Sequence, residues 1–595
     1  MRWAIQTADH APVARLVREL EVPPVVARLL VERQLDDPDA ARRFLHPTLD
    51  QLHDPFLMAG MAAAVERVRR AIAQREKILI YGDYDVDGTM AVVVLFTALR
   101  RCGALVEAHI PDRFAEGYGM QTAVVERAAH DGYKLVLSVD TGIRAHAVIG
   151  RAHELGVETI VTDHHLPEGS LPPAVAVLNP HRRDCLYPNK DLSGVGVAFK
   201  LAQALLGMPA AGGAASYRLL QSFLKIVAIG TIADVVPLVG ENRVIARFGL
   251  DGLRRPSAPG LQALLEVSGL AAEAVTAGDV GFRLAPRLNA AGRMENARDV
   301  VDLFMATEAE SARGIAERLD GLNRERQLVE DQILKEVITR IEGAPPEGAE
   351  APGARGRTMR LPRPVETGRY SLVLAGEGWH RGVIGIVAQR VAERYHRPAL
   401  VIGVEGGTGV GSGRSIAGFH LLEALDQGRD LFERYGGHAQ AAGFTLPAER
   451  IPELERRFED HARAVLQPQD LEPVLRVDSE VSLGELDLGV YEALRQLGPH
   501  GMGNPAPVFA ARGVCLMGPP HILKERHLKL RVTQAPTKSG QGRRSFEAIG
   551  WGWAAHGAGL VPGQTLDLAF ALDENTYQGT SSLQLVLKDI VGAGL

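Results

Sequence analysis

The chain reads as an α/β protein. It should have a mostly parallel sheet covered by helices, a second, smaller α/β lobe beyond a long helix, and a C-terminal all-β barrel. Three observations predict this. From Ile78 to His165, apolar strand-like runs alternate with helical segments over short connections. The same alternation returns at Tyr370. From Leu471 it gives way to short β-like runs broken by turn residues. At 595 residues and 46% hydrophobic, the chain can supply roughly three to four cores.

Taken in order, residues 1–75 form an N-terminal helical region, with Leu and Val on repeating faces. Region 76–310 opens on KILIYG, then a helix through Met90–Arg100, then VEAHI, KLVLSVD and ETIVTDHH. Helices at Thr122–His130 and Ala145–Leu155 separate these runs, and the region turns largely helical beyond Gly196. A charged helix, 311–342, acts as a connector, and 343–369 is a Gly/Pro-rich linker. Region 370–470 carries YSLVLAG, a helix over Val383–Tyr395 and PALVIGV. Region 471–595 carries VCLMG, HLKLRVT, TLDLAFAL and LQLVLKDI, the pattern of a small barrel; an oligonucleotide-binding fold is one of several such barrels.

Charge and cysteine content exclude several classes. The net charge is −6, so nucleic-acid binding must use local basic patches. Three isolated cysteines, with no CxxC pair, exclude a disulfide scaffold and a cysteine-built zinc site, and suit a reducing compartment. The sequence has no apolar leader run and no stretch of about 18 uncharged apolar residues, so a soluble, cytoplasmic protein is expected.

The densest chemistry lies in Lys77–Gly88, where Asp83, Asp85 and Asp87 follow an apolar strand at every second residue. This spacing suits an extended or turning backbone, with Gly88 allowing a tight bend. Crowded carboxylates raise one another's pKa and call for a cation. An EF-hand is excluded, because the twelfth loop position is Val94 instead of Glu. Three further segments fit a metal site: SVDTG with Asp140, TDHH with Asp163, His164 and His165, and GTIADVVPL with Asp234. An Asp in that last apolar stretch is costly unless paired or metal-bound. Asp and His without Cys suit Mn²⁺ or Mg²⁺. Five aspartates exceed the needs of one cation, so two ions about 3.5–4 Å apart are expected, with Asp140 as the bridging candidate. The corresponding chemistry is in-line hydrolysis of a phosphodiester.

The segments DYDVDG, SVDTG, TDHH and GTIADVVPL, in this order, resemble the motifs of the DHH phosphoesterase superfamily. Within it, FRLAPRLNAAGRM, WHRGVIGIVAQR, GSGRSIAGFHL, GGHAQAAGF and LGPHGMGNPAPVF are similar to segments of the bacterial single-strand-specific 5′→3′ DNA exonucleases. The resemblance implies metal ligands at Asp83, Asp85, Asp87, Asp140, His164 and Asp234. It implies that His165 is a further ligand or a phosphate contact, and that Asp163 orients a histidine. It also implies a DHH-associated domain whose Ser412, Gly413 and Arg414, with His380, Gly436, Gly437 and His438, surround a terminal phosphate. Arg113, Arg287, Asn289 and Arg293 would follow the sugar–phosphate path, with structural ion pairs the competing account for Arg287 and Arg293.

In the barrel, Lys524, Arg526, Lys529, Arg531, Lys538, Arg543 and Arg544 against the single acid Glu525 suggest a cationic track for a single strand. The implied activity is release of mononucleotides from single-stranded DNA in repair and recombination. The implied partners are a 5′-phosphorylated strand, a single-strand-binding protein and a helicase, with the enzyme a monomer. A phosphodiesterase for short oligonucleotides or cyclic dinucleotides shares the same ligands and is the alternative. A non-catalytic single-strand binder is the reading from a different class, and the intact acids argue against it.

Overall fold

The computed structural model describes residues 2–113, 115–117, 119–208, 214–343, 368–534, 544–577 and 580–592. Most of the linker expected at 343–369 lies outside them, as do Lys538 and Arg543. The chain forms two compact units. One is Asp39–Glu325 with Gln496–Ala506; the other is Met1–Pro38, Arg326–Arg495 and Pro507–Leu595.

The first unit is built on five parallel strands: β1 (Lys77–Tyr81), β2 (Leu105–His109), β3 (Tyr133–Val139), β4 (Glu158–Thr162) and β5 (Ala176–Leu178). Their order is β2-β1-β3-β4-β5. Strand side chains alternate between faces, and here both faces are buried. Ile78, Ile80, Leu135, Leu137, Val139 and Leu178 enter one core, with the helices α1 (Val86–Arg101), α4 (Gly194–Leu206) and α5 (Ala214–Ala233) on that side. Leu79, Tyr81, Val136, Val161 and Val177 enter a second core with α2 (Thr122–His130) and α3 (His146–Glu154).

This two-sided burial explains why these strands read as continuous apolar runs. It also explains why α1 is apolar on nearly all faces, as a helix packed between a sheet and further helices must be. Each fully buried Val or Leu there contributes about 1.5–3 kcal/mol. The chain leaves β1 to one side for β2 and returns on the other for β3, so the carboxyl ends of β1 and β3 flank a topological switch point, where α/β sheets bind ligands.

The helix α6 (Ala285–Met294) belongs to this unit, and the charged connector α7 runs Ala309–Glu342. Its 34 residues make it about 51 Å long. The second unit contains a five-stranded sheet of β6 (Leu372–Glu377), β7 (Ala399–Glu405), β8 (Thr408–Arg414), β9 (Arg434–Gly437) and β10 (Ala441–Pro447), with α8 (Ile384–Tyr395). The strand order is β9-β10-β8-β7-β6. The C-terminal half of α7 joins this lobe by polar contacts: the buried Glu330 carboxylate pairs with Arg326 and Arg390, and the Trp379 indole N–H donates to Glu336 at 2.9 Å.

The C-terminal strands are β11 (Phe509–Leu516), β12 (His527–Gln534), β13 (Ser545–Gly550), β14 (Thr565–Tyr577) and β15 (Thr580–Gly592). Pairing runs β11-β12-β13-β15-β14 and back to β11, with β13 and β15 parallel and the other pairs antiparallel. This is the ladder of an OB-type fold.

Two placements have no periodic signal in the sequence. The strand Arg2–Ile5 pairs in parallel with Val474–Val477, so the N-terminus is not wholly helical. The segment Gln496–Ala506 sits with the first unit, although barrel strands follow it in the chain. It is held there by Arg243, one of the largest fully buried side chains, whose guanidinium donates to the carbonyls of Phe44, Gln496, Leu497 and Gly498, and by the Leu238 N–H, which donates to the Met502 carbonyl at 2.8 Å.

Candidate metal centre

All seven residues expected as ligands, His165 included, gather around the switch point. Asp83 follows β1, Asp140 follows β3, and His164 and His165 follow β4. Asp234 comes directly after α5, at a helix end and not a strand end. Of the extended or turning backbone expected for the acidic triad, the turning form is found, and it leads straight into a helix. Asp85 is the N-cap of α1, its carboxylate accepting the Gly88 N–H at 2.9 Å, and Asp87 already lies in the first helical turn. Gly88 is therefore helical and makes no bend. A side chain is excluded there because its Cβ would lie 2.7 Å from the Asp83 Cβ.

The ligand atoms converge. His164 Nε2 is 3.2 Å from Asp140 Oδ1, 3.7 Å from Asp234 Oδ2 and 4.0 Å from Asp87 Oδ2. Three overlapping groups have candidate ligand atoms within 4.8 Å of one another: Asp140, His164 and His165; Asp87, His164 and Asp234; and Asp83, Asp85 and Asp140.

Burial, followed by the charge of Asp85, pushes Asp83 and Asp87 each up to about 7. Burial and then Asp87 and Asp85 push Asp234 up to about 9, and Asp140 is raised well above the carboxylate range for the same reasons. His164 is lowered to about 4, mainly by burial, so its imidazole is neutral and able to ligate. The buried oxygens Asp140 Oδ1 and Asp234 Oδ2 have no hydrogen-bond partner among the described residues. Carboxylate oxygens packed together without donors are the donor set of a hard divalent cation, so the residues present fit the expected metal.

The surrounding groups fix this arrangement. Asp163 makes no contribution of its own to the convergence: its oxygens accept the backbone N–H groups of His164, His165 and Ile143, and the His165 ring at 2.7 Å. Burial alone would raise Asp163, but these donors hold it below its usual range, and it fixes the orientation of the His165 ring. Asp87 accepts the N–H groups of Gly194 and Val195 at the positive end of α4, with the Gly194 contact at 2.5 Å and the Val195 contact at 3.1 Å. Gly194 is required because a Cβ there would lie 2.5 Å from Asp140 Oδ1. Asp140 itself has φ 58°, and the β-branched Val235 beside Asp234 has φ 62°, so two ligand positions carry backbone strain. Sequence reasoning did not find the Ser193–Val195 turn; its signal was a Ser N-cap ahead of the apolar run GVGVAF.

Among the expected strand-path residues, Arg113 stacks on Tyr84 beside the acidic loop and has no ion pair among the described residues. Arg293 is half-buried near Tyr84. Arg287 donates within the protein, to Asp320 at 2.9 Å and to the carbonyls of Arg283 and Val267, the kind of contact the competing structural account expects. The Asn289 side-chain oxygen accepts the Val86 N–H at 3.1 Å.

In the second unit, GSGRS is neither a turn nor an exposed row of amides. Ser412 and Gly413 lie in β8, paired with β7 on one side and β10 on the other, so their backbone groups belong to the ladder. The glycines serve packing: a Cβ at Gly411 would meet the Phe444 ring at 2.1 Å, and one at Gly413 would meet Leu400 at 2.7 Å. What remains for an anion is side chain. Ser412 and Arg414 share one face against Gly385 in the first turn of α8. Arg414 donates to Ser412 Oγ at 3.1 Å, has no carboxylate partner among the described residues, and is lowered by burial. His380 accepts the Gly382 N–H with Nδ1 just before α8. Gly436, Gly437 and His438 are exposed at the end of the edge strand β9, and the His438 N–H closes a turn on the Ala441 carbonyl at 2.8 Å.

On the barrel, Lys524 and Arg526 sit at an exposed hairpin turn, whereas Lys529 pairs with Glu547 at 2.8 Å and Arg544 faces Asp487 at 3.8 Å. The cationic track is therefore partly neutralised by acids outside the stretch in which the charges were counted.

Residues 77–231 match the DHH family, N-terminal domain; 368–464 match the DHHA1 domain; and 477–589 match the RecJ OB domain. A relative from Bacillus subtilis (strain 168), named single-stranded-DNA-specific exonuclease RecJ, is 38% identical over 99% of this chain and 70% of its own length. Relatives of the same name from Dickeya dadantii (strain 3937) and Escherichia coli (strain K12) are 37% and 34% identical; the matches cover 97% and 96% of this chain and 98% and 96% of theirs. The crystal structure of RecJ in complex with Mn²⁺ from Thermus thermophilus superposes with a TM-score of 0.81 at 29% identity, covering 100% of this chain and 80% of that one. With relatives this similar along nearly the whole of both chains, and three matching domains in succession, the chain belongs to the RecJ family.

Proposed function

We propose that this chain is a metal-dependent, single-stranded-DNA-specific 5′→3′ exonuclease that releases mononucleotides and acts in DNA repair and recombination. The observation that carries the reading is the pair of donorless buried oxygens, Asp140 Oδ1 and Asp234 Oδ2, facing a neutral His164 at the switch point. Asp83, Asp85, Asp87, Asp140, His164, His165 and Asp234 would hold two divalent cations, Mn²⁺ or Mg²⁺. When bound, such ions activate water and neutralise charge on the reacting phosphate.

The protein's own residues do the rest. Asp163 sets the His165 ring, and the N-terminus of α4 sets Asp87. Arg113, on its Tyr84 platform, and Arg293 balance the backbone charge of the strand. In the DHH-associated part, 370–470, Ser412 and Arg414 bind the terminal phosphate at the start of α8, with His380, Gly436, Gly437 and His438 as further contacts. In the barrel part, 471–595, Lys524 and Arg526 hold the strand beyond the reacting end. On this reading the enzyme is a cytoplasmic monomer that receives its strand from a helicase and meets a single-strand-binding protein on it.

The test is digestion of 5′-labelled and 3′-labelled strands with Mn²⁺ or Mg²⁺. Immediate release of the 5′ label as a mononucleotide, with the 3′ label retained in shortening strands, is expected, along with much slower turnover of dinucleotides and duplex ends. Equal cleavage of duplex and single strands, or activity in excess EDTA, would overturn it.

A further inference from the structure

The loop that presents the acidic triad is held from behind by α6. Two residues one turn apart on that helix, Asn289 and Gly292, face it. The first-turn amides of α1 need partners from outside the helix. Asp85 supplies one, to Gly88, while the Val86 N–H is met by Asn289 Oδ1 at 3.1 Å, from 203 residues further along the chain. Gly292 meets the same loop at its other side, where a Cβ would lie 2.4 Å from the Tyr84 carbonyl oxygen. The two contacts bracket Asp85 and fix the backbone between Tyr84 and Val86, and so the directions in which Asp83, Asp85 and Asp87 leave it.

We infer that Asn289 and Gly292 are positioning residues for the metal centre, and that Asn289 acts through the Val86 amide instead of through the DNA strand. This inference rests on the metal-dependent reading above. Gly292 has no side chain to offer a phosphate, so a shared effect of the two residues separates bracing from strand contact.

The experiment is calorimetric titration of Mn²⁺ into the full-length protein without DNA, with kcat and KM measured separately on a single strand at saturating Mn²⁺. Asn289→Ala and Gly292→Ala are each expected to weaken Mn²⁺ binding about tenfold, the scale of losing support behind a metal ligand. Circular dichroism should be unchanged and KM should stay within about twofold. Asn289→Asp, which keeps the acceptor, should bind Mn²⁺ several-fold better than Asn289→Ala does. Wild-type Mn²⁺ affinity in both alanine variants, with a raised KM for Asn289→Ala, overturns the inference and makes Asn289 a strand contact. Should Gly292→Ala not fold, Asn289→Ala decides alone: weaker Mn²⁺ binding without DNA at an unchanged KM supports bracing, and unchanged Mn²⁺ binding with a raised KM overturns it. Failure of the wild-type protein to bind Mn²⁺ would instead remove the metal-dependent reading itself.

Discussion

Removing one carboxylate from the centre should stabilise the metal-free protein while destroying its metal site. Asp234 shows this best. Burial, with the charges of Asp87 and Asp85, lifts its carboxyl from 3.8 to about 9. A carboxyl raised on folding lends its full stability below its unfolded value and loses it as pH climbs toward the folded one. The window here is therefore about pH 4 to 9, and metal-free stability should fall across it. At pH 7 the penalty spans about three pH units, or ~4 kcal/mol at ~1.4 kcal/mol per unit. Asp83 and Asp87, each lifted to about 7, titrate in the same cluster and share its protons, so a single replacement recovers only part of that.

The assay is thermal or urea unfolding in EDTA from pH 5 to 9, repeated with Mn²⁺. Wild-type protein should lose stability with rising pH in EDTA, Asp234→Asn should lose less, and Mn²⁺ should stabilise the wild type increasingly as pH rises, because the cations replace protons. A flat wild-type profile in EDTA, identical to that of Asp234→Asn, would refute the reasoning.

Three other outcomes are expected. Asp163→Ala, which removes the acceptor that fixes the His165 ring, should cost 10–100-fold in activity or Mn²⁺ affinity, measured by steady-state kinetics and metal titration. Gly194→Ala puts a methyl 2.5 Å from Asp140 Oδ1 and should lower kcat at least tenfold without unfolding the protein, as checked by circular dichroism. Arg414→Ala removes a charge-assisted donor worth about 1.5–3 kcal/mol, so the preference for 5′-phosphorylated over 5′-hydroxyl strands should shrink by about 10–100-fold in kcat/KM.

How far the site was legible depended on whether a residue's partner was near in sequence. Asp83, Asp140, His164 and His165 end parallel strands, and an apolar strand run stopping at an acid marks such a position directly. Asp163 could be read as a partner for histidine because it adjoins two of them. The ion-pair partner of Arg287 could not be named from the sequence, because Asp320 lies 33 positions away on another helix, beyond any local pattern. That the glycines of GSGRS lie in a strand was not legible, because glycines usually mark turns; only the Phe444 and Leu400 side chains across the sheet show that they serve packing. The fold was legible wherever burial is two-sided and continuous. It was not legible at Gln496–Ala506, which is held by contacts with residues about 250 positions earlier, among them the Arg243 guanidinium and the Leu238 N–H.

The centre divides its negative charge between two kinds of carboxylate, and the division explains why it needs cations at all. Asp85, Asp87 and Asp163 are met by backbone N–H groups: Gly88 for the first, Gly194 and Val195 for the second, and Ile143, His164 and His165 for the third. Asp83 accepts the Tyr84 N–H. Peptide dipoles thus fix the geometry of these groups before any metal arrives. Asp140 Oδ1 and Asp234 Oδ2 receive no such donor, yet they are buried against a histidine whose proton affinity is lowered. Hydrogen bonds leave these two oxygens unsatisfied, because no N–H among the described residues donates to either. Positive charge from outside the chain has to satisfy them, and they lie where the strain at Asp140 and Val235 is concentrated. Binding free energy for the metal thus comes from the part of the site that the fold leaves unfinished, and its geometry from the part the fold completes.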